Sequence, residues 1–175
     1  MHAWLIDEAA LAEQGRKSLA QQTPNVPVSG EALVELGVLH WHFDPATEMS
    51  KVDALRKERS YSSGDEVNIT PAGIPKEKHE QFFQEHLHDD EEIRYMLEGS
   101  GFFDVRDRQD RWVRIHLTRG DLIILPAGIY HRFTLDVSDF VHVMRLFKDE
   151  PVWTAISRPA DDRAVRKAYL QSLKV

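Results

Sequence analysis

The 175-residue sequence contains no cysteine, which excludes disulfide bonds, a cysteine nucleophile and a thiolate metal site. Any metal must therefore be held by nitrogen and oxygen ligands. The sequence also lacks an apolar run near the roughly 20 residues that cross a bilayer. Because no basic region and long apolar stretch open the chain, we expect no signal peptide. We expect the protein in the cytosol, and composition leaves the nucleus open as a second compartment.

An excess of positive charge is missing as well. The chain has 22 Lys and Arg against 29 Asp and Glu, a formal net charge of −7, which argues against nucleic acid or an anionic membrane as partner. The Gly-x-Ser-x-Gly elbow of serine hydrolases and Gly-rich phosphate loops are absent too. The length fits one domain, residues 1–175, that can bury a proper core. We expect a monomer.

The second half of the chain alternates short apolar segments with Gly, Asp and Pro, which is typical of an antiparallel sandwich or barrel. A metal-binding barrel core is predicted over 80–147, and residues 98–101 and 61–66 are predicted as turns. Residues 1–29 are predicted as an N-terminal arm. Helices are predicted over 46–60, over 76–83, at the C-terminus within 160–175, and after the capping residue Ser29. Strands are predicted at 38–43, 93–97, 102–106, 112–117, 122–125, 131–135 and 140–147.

The residues His86-Leu87-His88-Asp89-Asp90-Glu91-Glu92 form one half of a candidate metal site. In extended chain, residues two apart point the same way, so His86, His88 and Glu92 share a face. The three other acids compete with Glu92 for the carboxylate position. The second half is His131, which follows a Pro-x-Gly turn. Three imidazoles and a carboxylate suit iron, nickel, cobalt, copper or zinc better than calcium or magnesium, and an octahedral ion would keep two open positions.

Four other histidines are less promising as ligands. His40 and His42 share a strand face without a spaced carboxylate, so we interpret them as a polar face. His116 alternates with Trp112 and Arg114, which predicts an exposed strand face rather than a catalytic base. His142 lies in an apolar segment and stays unassigned, either as a buried hydrogen-bonded histidine or as a support for a metal ligand.

The two halves resemble the paired motifs of the cupin superfamily. The first motif matches at His86, His88, Glu92 and Gly99, with Glu80 in place of the leading glycine. The second matches at Gly120, Pro126, Gly128 and His131, with Leu135 in place of the final asparagine. This resemblance selects Glu92 among the competing acids. It implies a mainly β, cupin-type double-stranded β-helix, or jelly-roll barrel, with a few peripheral α-helices.

A closer resemblance, densest over residues 80–160, is to the acireductone dioxygenase family. It is carried by His86-Leu87-His88, Asp90-Glu91-Glu92-Ile93-Arg94-Tyr95, Gly99-Ser100-Gly101-Phe102-Phe103-Asp104-Val105-Arg106-Asp107, Pro126-Ala127-Gly128-Ile129-Tyr130-His131-Arg132-Phe133 and Pro151-Val152-Trp153-Thr154. The 36–39 region also matches. The family implies one Fe²⁺ or Ni²⁺ per chain, with the acireductone of methionine salvage and O₂ as substrates. Fe²⁺ would give 4-methylthio-2-oxobutanoate and formate, and Ni²⁺ would give 3-methylthiopropanoate, formate and carbon monoxide.

The resemblance also assigns candidate substrate residues. Arg94 shares the face of Glu92, so its charge could stabilise an anionic substrate, or it could simply pair with a neighbouring acid. Phe82 and Phe133 match family pocket positions, and Met96 could join them around a methylthio tail, although core packing explains such side chains equally well. The alternative functions are a non-catalytic cupin that binds a metal, a small molecule or a protein partner, and a metal-dependent cupin isomerase.

Overall fold

A computed structural model describes residues 1–149 and 154–173, which form ten strands and five helices. The predicted mainly β class is confirmed. Within that part of the chain, no helix is long and apolar enough to cross a membrane. In chain order the elements are β1 His2–Leu5, α1 Glu8–Gln14, α2 Gly30–Glu35, β2 Leu39–His42, α3 Met49–Glu58, β3 Ser63–Ile69, α4 Lys76–Phe83, β4 His86–Leu87, β5 Glu92–Arg106, β6 Trp112–Thr118, β7 Asp121–Leu125, β8 His131–Leu135, β9 Val141–Phe147, β10 Ile156–Ser157 and α5 Ala164–Ser172.

The barrel consists of two antiparallel layers that share strand β5. One layer runs in the order β1-β6-β5-β8-β4-β10 and uses the second half of β5. The other layer runs β2-β7-β5-β9-β3 and uses the first half of the same strand. Apolar side chains from both layers, including Ile115, Leu117, Ile123 and Val141, are fully buried between them. Strand β5 therefore places residues of both layers around one interior.

The predicted turn at 98–101 is wrong, because β5 continues through it. A bulge between Met96 and Glu98 bends the strand where its pairing passes from β7 and β9 to β6 and β8. Gly99 lies at this corner with φ +75°, and a Cβ there would stand 2.0 Å from the carbonyl oxygen of Phe140. The glycines that suggested a turn mark a strand corner instead.

Several predicted boundaries hold, and others are displaced. Ser29 caps α2 by accepting from the backbone N–H of Ala32, as predicted. Helices α3 and α4 lie within the predicted ranges. The turn predicted over 61–66 is wrong from Ser63 onward, because those polar residues pair with β9. The C-terminal helix begins at Ala164, later than the acidic pair at 161–162 suggested.

The N-terminal residues take part in the barrel, which the description of 1–29 as an arm did not foresee. Strand β1 pairs with β6 along His2–Leu5, and Trp4 is 3% exposed with its ring edge against Phe102. The segment after α1 covers Arg114, whose guanidinium donates to the carbonyl oxygens of Arg16 and Ser18. Arg114 is fully buried and pairs with Asp104 at 2.8 Å.

Candidate metal centre and substrate cavity

Three strands bring the four predicted ligand residues together. His86 belongs to β4 and lies directly across from His131, the first residue of β8. His88 follows β4, and Glu92 begins β5. One ligand atom from each of the four residues lies within 4.8 Å of all the others, and three of the four residues are buried. The structure thus contains a His₃–Glu metal-binding group at one end of the barrel.

Backbone carbonyl groups fix the orientation of all three imidazole rings. His86 Nδ1 donates to the carbonyl oxygen of Gln84 at 2.7 Å, His88 Nδ1 to that of Thr154 at 2.9 Å, and His131 Nδ1 to that of Ile129 at 3.0 Å. A carbonyl oxygen can only accept, so each Nδ1 carries a hydrogen and leaves Nε2 for a metal. Such supporting hydrogen bonds are typical of metal-ligating histidines.

Glu92 lies at the centre of the group as a buried carboxylate. Its Oε2 is 3.0 Å from His88 Nε2 and 3.1 Å from His131 Nε2, and its Oε1 is 3.2 Å from the Arg94 guanidinium. Burial acts to raise the pKa of Glu92, but the charge of Arg94 and the contacts with His131 and His88 hold it well below its usual range. Glu92 is therefore ionised at neutral pH, the form that binds metals.

The pKa values of His86 and His88 shift in opposite directions. Burial, followed by the charge of the neighbouring His131, lowers the pKa of His86 to about 4, so this ring is neutral at pH 7. Burial acts in the same direction on His88, but the hydrogen bond with Glu92 outweighs it and raises the pKa of His88. The donor set is thus one anionic oxygen with imidazole nitrogens, which suits a first-row transition metal.

Arg94 lies beside the metal group, as the strand alternation predicted. It is 16% exposed, and its Nη1 donates to its own strand at the carbonyl oxygen of Ile93. The contact with Glu92 is the predicted ion pair with a neighbouring acid. The same contact orients the guanidinium beside the metal group, so it is also compatible with the predicted role of Arg94 in stabilising an anionic substrate. Arg145 lies directly across from Arg94 on β9 and forms a two-pronged ion pair with Asp65 on β3.

A cavity of about 360 Å³ opens onto the metal group. Its walls include Phe82, Phe133, Arg94 and Arg145. A second, more apolar cavity of about 80 Å³, the inner cavity, shares Phe82, Glu92 and Phe133 with the first. The buried side chains of Met96 and Phe103 also line it. The rings of Phe82 and Phe133 meet edge to face at 6.3 Å between centroids. The predicted substrate residues therefore lie around two cavities that share part of their lining.

The remaining histidines lie outside the metal group. His40 and His42 both contact the buried carboxylate of Asp121, at 2.8 and 3.0 Å. His142 pairs with Glu66 and is only partly buried, so it does not support the metal ligands. The prediction of an exposed face around His116 is wrong, because Trp112 and Arg114 on that face are buried by the N-terminal segment and His116 contacts Asp136.

The acidic run before Glu92 is only partly the solvated turn that its composition indicates. Asp89 and Asp90 are exposed. Glu91 is half-buried and accepts hydrogen bonds from Tyr61 and Arg59, both at 2.9 Å. Glu91 is thus held by groups outside the metal group, whereas Glu92 contacts His88 and His131.

Sequence reasoning missed Arg145 and the inward apolar residues of β3 and β9, although alternation along the predicted strand at 140–147 would have placed Val141, Val143 and Arg145 on one face. The family-like residues Pro151-Val152-Trp153 lie outside the described residues.

Comparison with known proteins agrees with the family resemblance. The model of the ARD/ARD' family matches residues 2–155. Acireductone dioxygenase of Branchiostoma floridae is 46% identical over 175 residues, which cover 99% of this chain and 97% of the relative. The protein of the same name from Tuber melanosporum is 54% identical over 151 residues, covering 83% of this chain and 86% of the relative.

A solved structure supports the fold. Acireductone dioxygenase from Bacillus anthracis, with a cadmium ion in its active centre, matches with a TM-score of 0.70 at 22% identity. The match covers 89% of this chain and 98% of that chain. The predicted cupin-type barrel is thereby confirmed.

Proposed function

Because this chain belongs to the ARD/ARD' family, we propose that it is the metal-dependent dioxygenase of methionine salvage. Its substrates would be O₂ and 1,2-dihydroxy-5-(methylthio)pent-1-en-3-one. The observation that carries the proposal is the convergence of three imidazoles and one carboxylate beside a guanidinium and an apolar cavity. These three environments match the three parts of the substrate, which are a chelating enediol, a developing negative charge and a methylthio tail.

We propose His86, His88, Glu92 and His131 as ligands of one Fe²⁺ or Ni²⁺ ion per chain. The donor set fits these ions because it combines nitrogen and carboxylate oxygen with the ring orientations already fixed by backbone carbonyls. Such an ion would supply Lewis-acid stabilisation of the enediolate and open positions for the reactants. The Fe²⁺ form would yield 4-methylthio-2-oxobutanoate and formate, and the Ni²⁺ form 3-methylthiopropanoate, formate and carbon monoxide.

The residues of the chain supply positioning and charge. Arg94 lies within the cavity with its guanidinium held between Glu92 and the carbonyl oxygen of Ile93, so a permanent positive charge faces the anionic head of the substrate. A charge oriented before the substrate arrives needs little reorganisation during the reaction. We propose Arg94 as the catalytic residue on this basis.

The apolar walls would bind the rest of the substrate. Phe82 and Phe133 line both cavities, and Met96 is 1% exposed on the face of β5 that carries Glu92 and Arg94. A methylthio group gains free energy when it leaves water for such a site. Fixing the tail also fixes the enediol in one orientation beside Arg94, which favours reaction over dissociation.

Oxygen uptake tests the proposal directly. The purified protein, loaded with Fe²⁺, is mixed with acireductone generated under anaerobic conditions, and consumption of dissolved O₂ is followed after air is admitted. We expect rapid uptake, with one O₂ consumed for each substrate molecule. A metal-loaded protein that leaves O₂ unconsumed would support the alternative of a binding cupin or an interaction protein, or an isomerase.

We further propose that the protein acts as a monomer in the cytosol, with the nucleus as a second possible compartment, and that it binds no nucleic acid. The net charge of −7 supports the absence of a nucleic-acid partner. Light scattering on a size-exclusion column would test the monomer, with a mass near 20.2 kDa as the expected result.

A further inference from the structure

One wall of the inner cavity is built from side chains that lie in rows across three neighbouring strands. Arg94 on β5 lies opposite Arg145 on β9, which in turn lies opposite Asp65 on β3. The next row inward consists of Met96, Val143 and Val67 in the same register. Polar side chains next to the metal group are therefore followed at once by an apolar row.

A third row stands behind the second. Val141 lies opposite Ile69 on β3 and opposite Gly99 on β5. Val141 is fully buried and Ile69 is 8% exposed. Both belong to the lining of the inner cavity. Since Gly99 contributes no side chain at this level, Val141 and Ile69 supply the side chains of the third row of this wall.

The spacing of the rows matches the length of the expected tail. Side chains two residues apart on a strand are about 7 Å apart along it. The tail of the acireductone has four heavy atoms beyond the ketone carbon and spans roughly 5 Å, from single bonds of about 1.5 Å each. A substrate whose head lies beside Arg94 would therefore end its tail at the row of Met96, Val143 and Val67.

We infer that Val143 and Val67, backed by Val141 and Ile69, determine the longest substrate tail that the protein accepts. The inference rests on the proposed function and extends it, because it assigns selectivity for tail length to residues outside the metal group. Val143 is 4% exposed, stands in the row between Met96 and Val67, and lines the inner cavity. Removing two methyl groups there opens space at the position where an extended tail would otherwise collide with the wall.

The test measures kcat/KM for three acireductones, one with the methylthioethyl tail, one with a tail two atoms shorter and one with a tail two atoms longer. Wild type is expected to prefer the methylthioethyl compound over the longer one. In Val143→Ala and Val67→Ala, the ratio of kcat/KM for the longer to the methylthioethyl compound should rise about tenfold or more, the scale of a methylene mismatch in an apolar pocket. Val143→Leu should shift preference the other way, towards the shorter tail.

Val113→Ala is the matched control, because Val113 is 1% exposed on β6 and lies outside the inner cavity. It should lose stability like the other variants and keep the wild-type order of tail lengths. Binding of the same compounds to the metal-loaded protein without O₂, measured by calorimetry, should follow the order of tail lengths found by kinetics.

The possible outcomes separate the two proposals. The inference is overturned, and the proposed function is left standing, if the order of kcat/KM for the three tail lengths is the same in wild type and in the variants. The variants are Val143→Ala, Val67→Ala and Val143→Leu. A profile that shifts equally in Val113→Ala would also overturn it, because the effect would then be general loosening of the core. Wild-type protein that turns over none of the three compounds would remove the proposed function, and the inference with it.

Discussion

At the scale of single residues, the metal group follows from the alternation of an extended chain. His86 and His88 are two apart, as are Glu92 and Arg94, and in each pair both side chains reach the same cavity. Alternation alone could not choose Glu92 from the acidic run, and the family motif made that choice. The structure adds a physical reason, since Glu91 is engaged by Tyr61 and Arg59, which do not belong to the metal group.

Loss of one ligand should remove the metal. Loss of a group that supports a ligand typically costs 10–100-fold in affinity, so His88→Ala, which removes a ligand, should weaken binding by more than about 100-fold. The bound metal is measured by elemental analysis after gel filtration. His142→Ala is the control, because His142 pairs with Glu66 outside the metal group; equal metal content in the two variants would contradict the assignment of His88.

Removal of the charge at position 94 should affect the chemical step. In Arg94→Met the enediolate loses its fixed positive partner, and kcat should fall by about 100–1,000-fold, the range found for loss of one preorganised donor. Arg94→Lys should recover part of this loss. Lysine keeps the positive charge but lacks the planar guanidinium that contacts both Glu92 and the carbonyl oxygen of Ile93. Steady-state kinetics on protein with a full complement of metal measures both; an unchanged kcat in Arg94→Met would leave Arg94 a purely structural partner of Glu92.

At the scale of elements, sequence patterns located most strands and misjudged where they join. Short apolar segments identified β6, β7, β8 and β9 closely, because each is bounded by Gly, Pro or Asp. Strand β5 was divided in two, since Gly99 and Gly101 carry the local signature of a turn. The partners that keep β5 continuous are distant in sequence, so only the assembled barrel shows that these glycines form a corner.

The corner in β5 should be sensitive to any side chain. Gly99→Ala requires alanine at φ +75° with its Cβ 2.0 Å from the carbonyl oxygen of Phe140. The conformational strain alone costs about 1–3 kcal/mol, and the collision should increase the loss of unfolding free energy. Gly30→Ala is the matched control, because no atom lies within 4 Å of the added Cβ in α2 and the stability of a helix should not fall. Urea denaturation of both variants compares them, and equal stability would contradict the corner.

At the scale of the whole molecule, the N-terminal residues complete the barrel. Their polar, proline-broken sequence suggested an arm, and no local pattern shows that His2–Leu5 pairs with residues more than 100 positions away. The local sequence does not reveal the partners of Asp121 either, because Gly120-Asp121 is read as a turn. Its buried carboxylate accepts from Thr118 and contacts His40, His42 and the N-terminal ammonium group. The contacts with His40, His42 and the N-terminal ammonium group depend on tertiary structure alone.

Asp121 should make stability depend on pH in the acid range. Burial acts to raise the pKa of Asp121, but hydrogen bonds from His40, the backbone of Thr118 and His42 lower it far below the usual value. A carboxyl group whose pKa is lower in the folded than in the unfolded protein stabilises the folded state. This contribution is complete above the unfolded pKa of about 3.9 and declines as the pH falls towards the pKa of the folded state. Asp121→Asn should therefore lose stability at pH 7 and show a smaller further loss between pH 5 and 2. A parallel acid profile in wild type and Asp121→Asn would contradict this account.

The central claim is that one metal ion on His86, His88, Glu92 and His131 directs the oxidative cleavage of an acireductone. The most direct measurement prepares the metal-free protein, restores Fe²⁺ or Ni²⁺ in separate samples, and identifies products after reaction with acireductone and O₂. We expect formate from both samples, 4-methylthio-2-oxobutanoate from the Fe²⁺ sample, and carbon monoxide with 3-methylthiopropanoate from the Ni²⁺ sample alone. If neither metal-loaded sample forms formate above the metal-free control, the claim is contradicted.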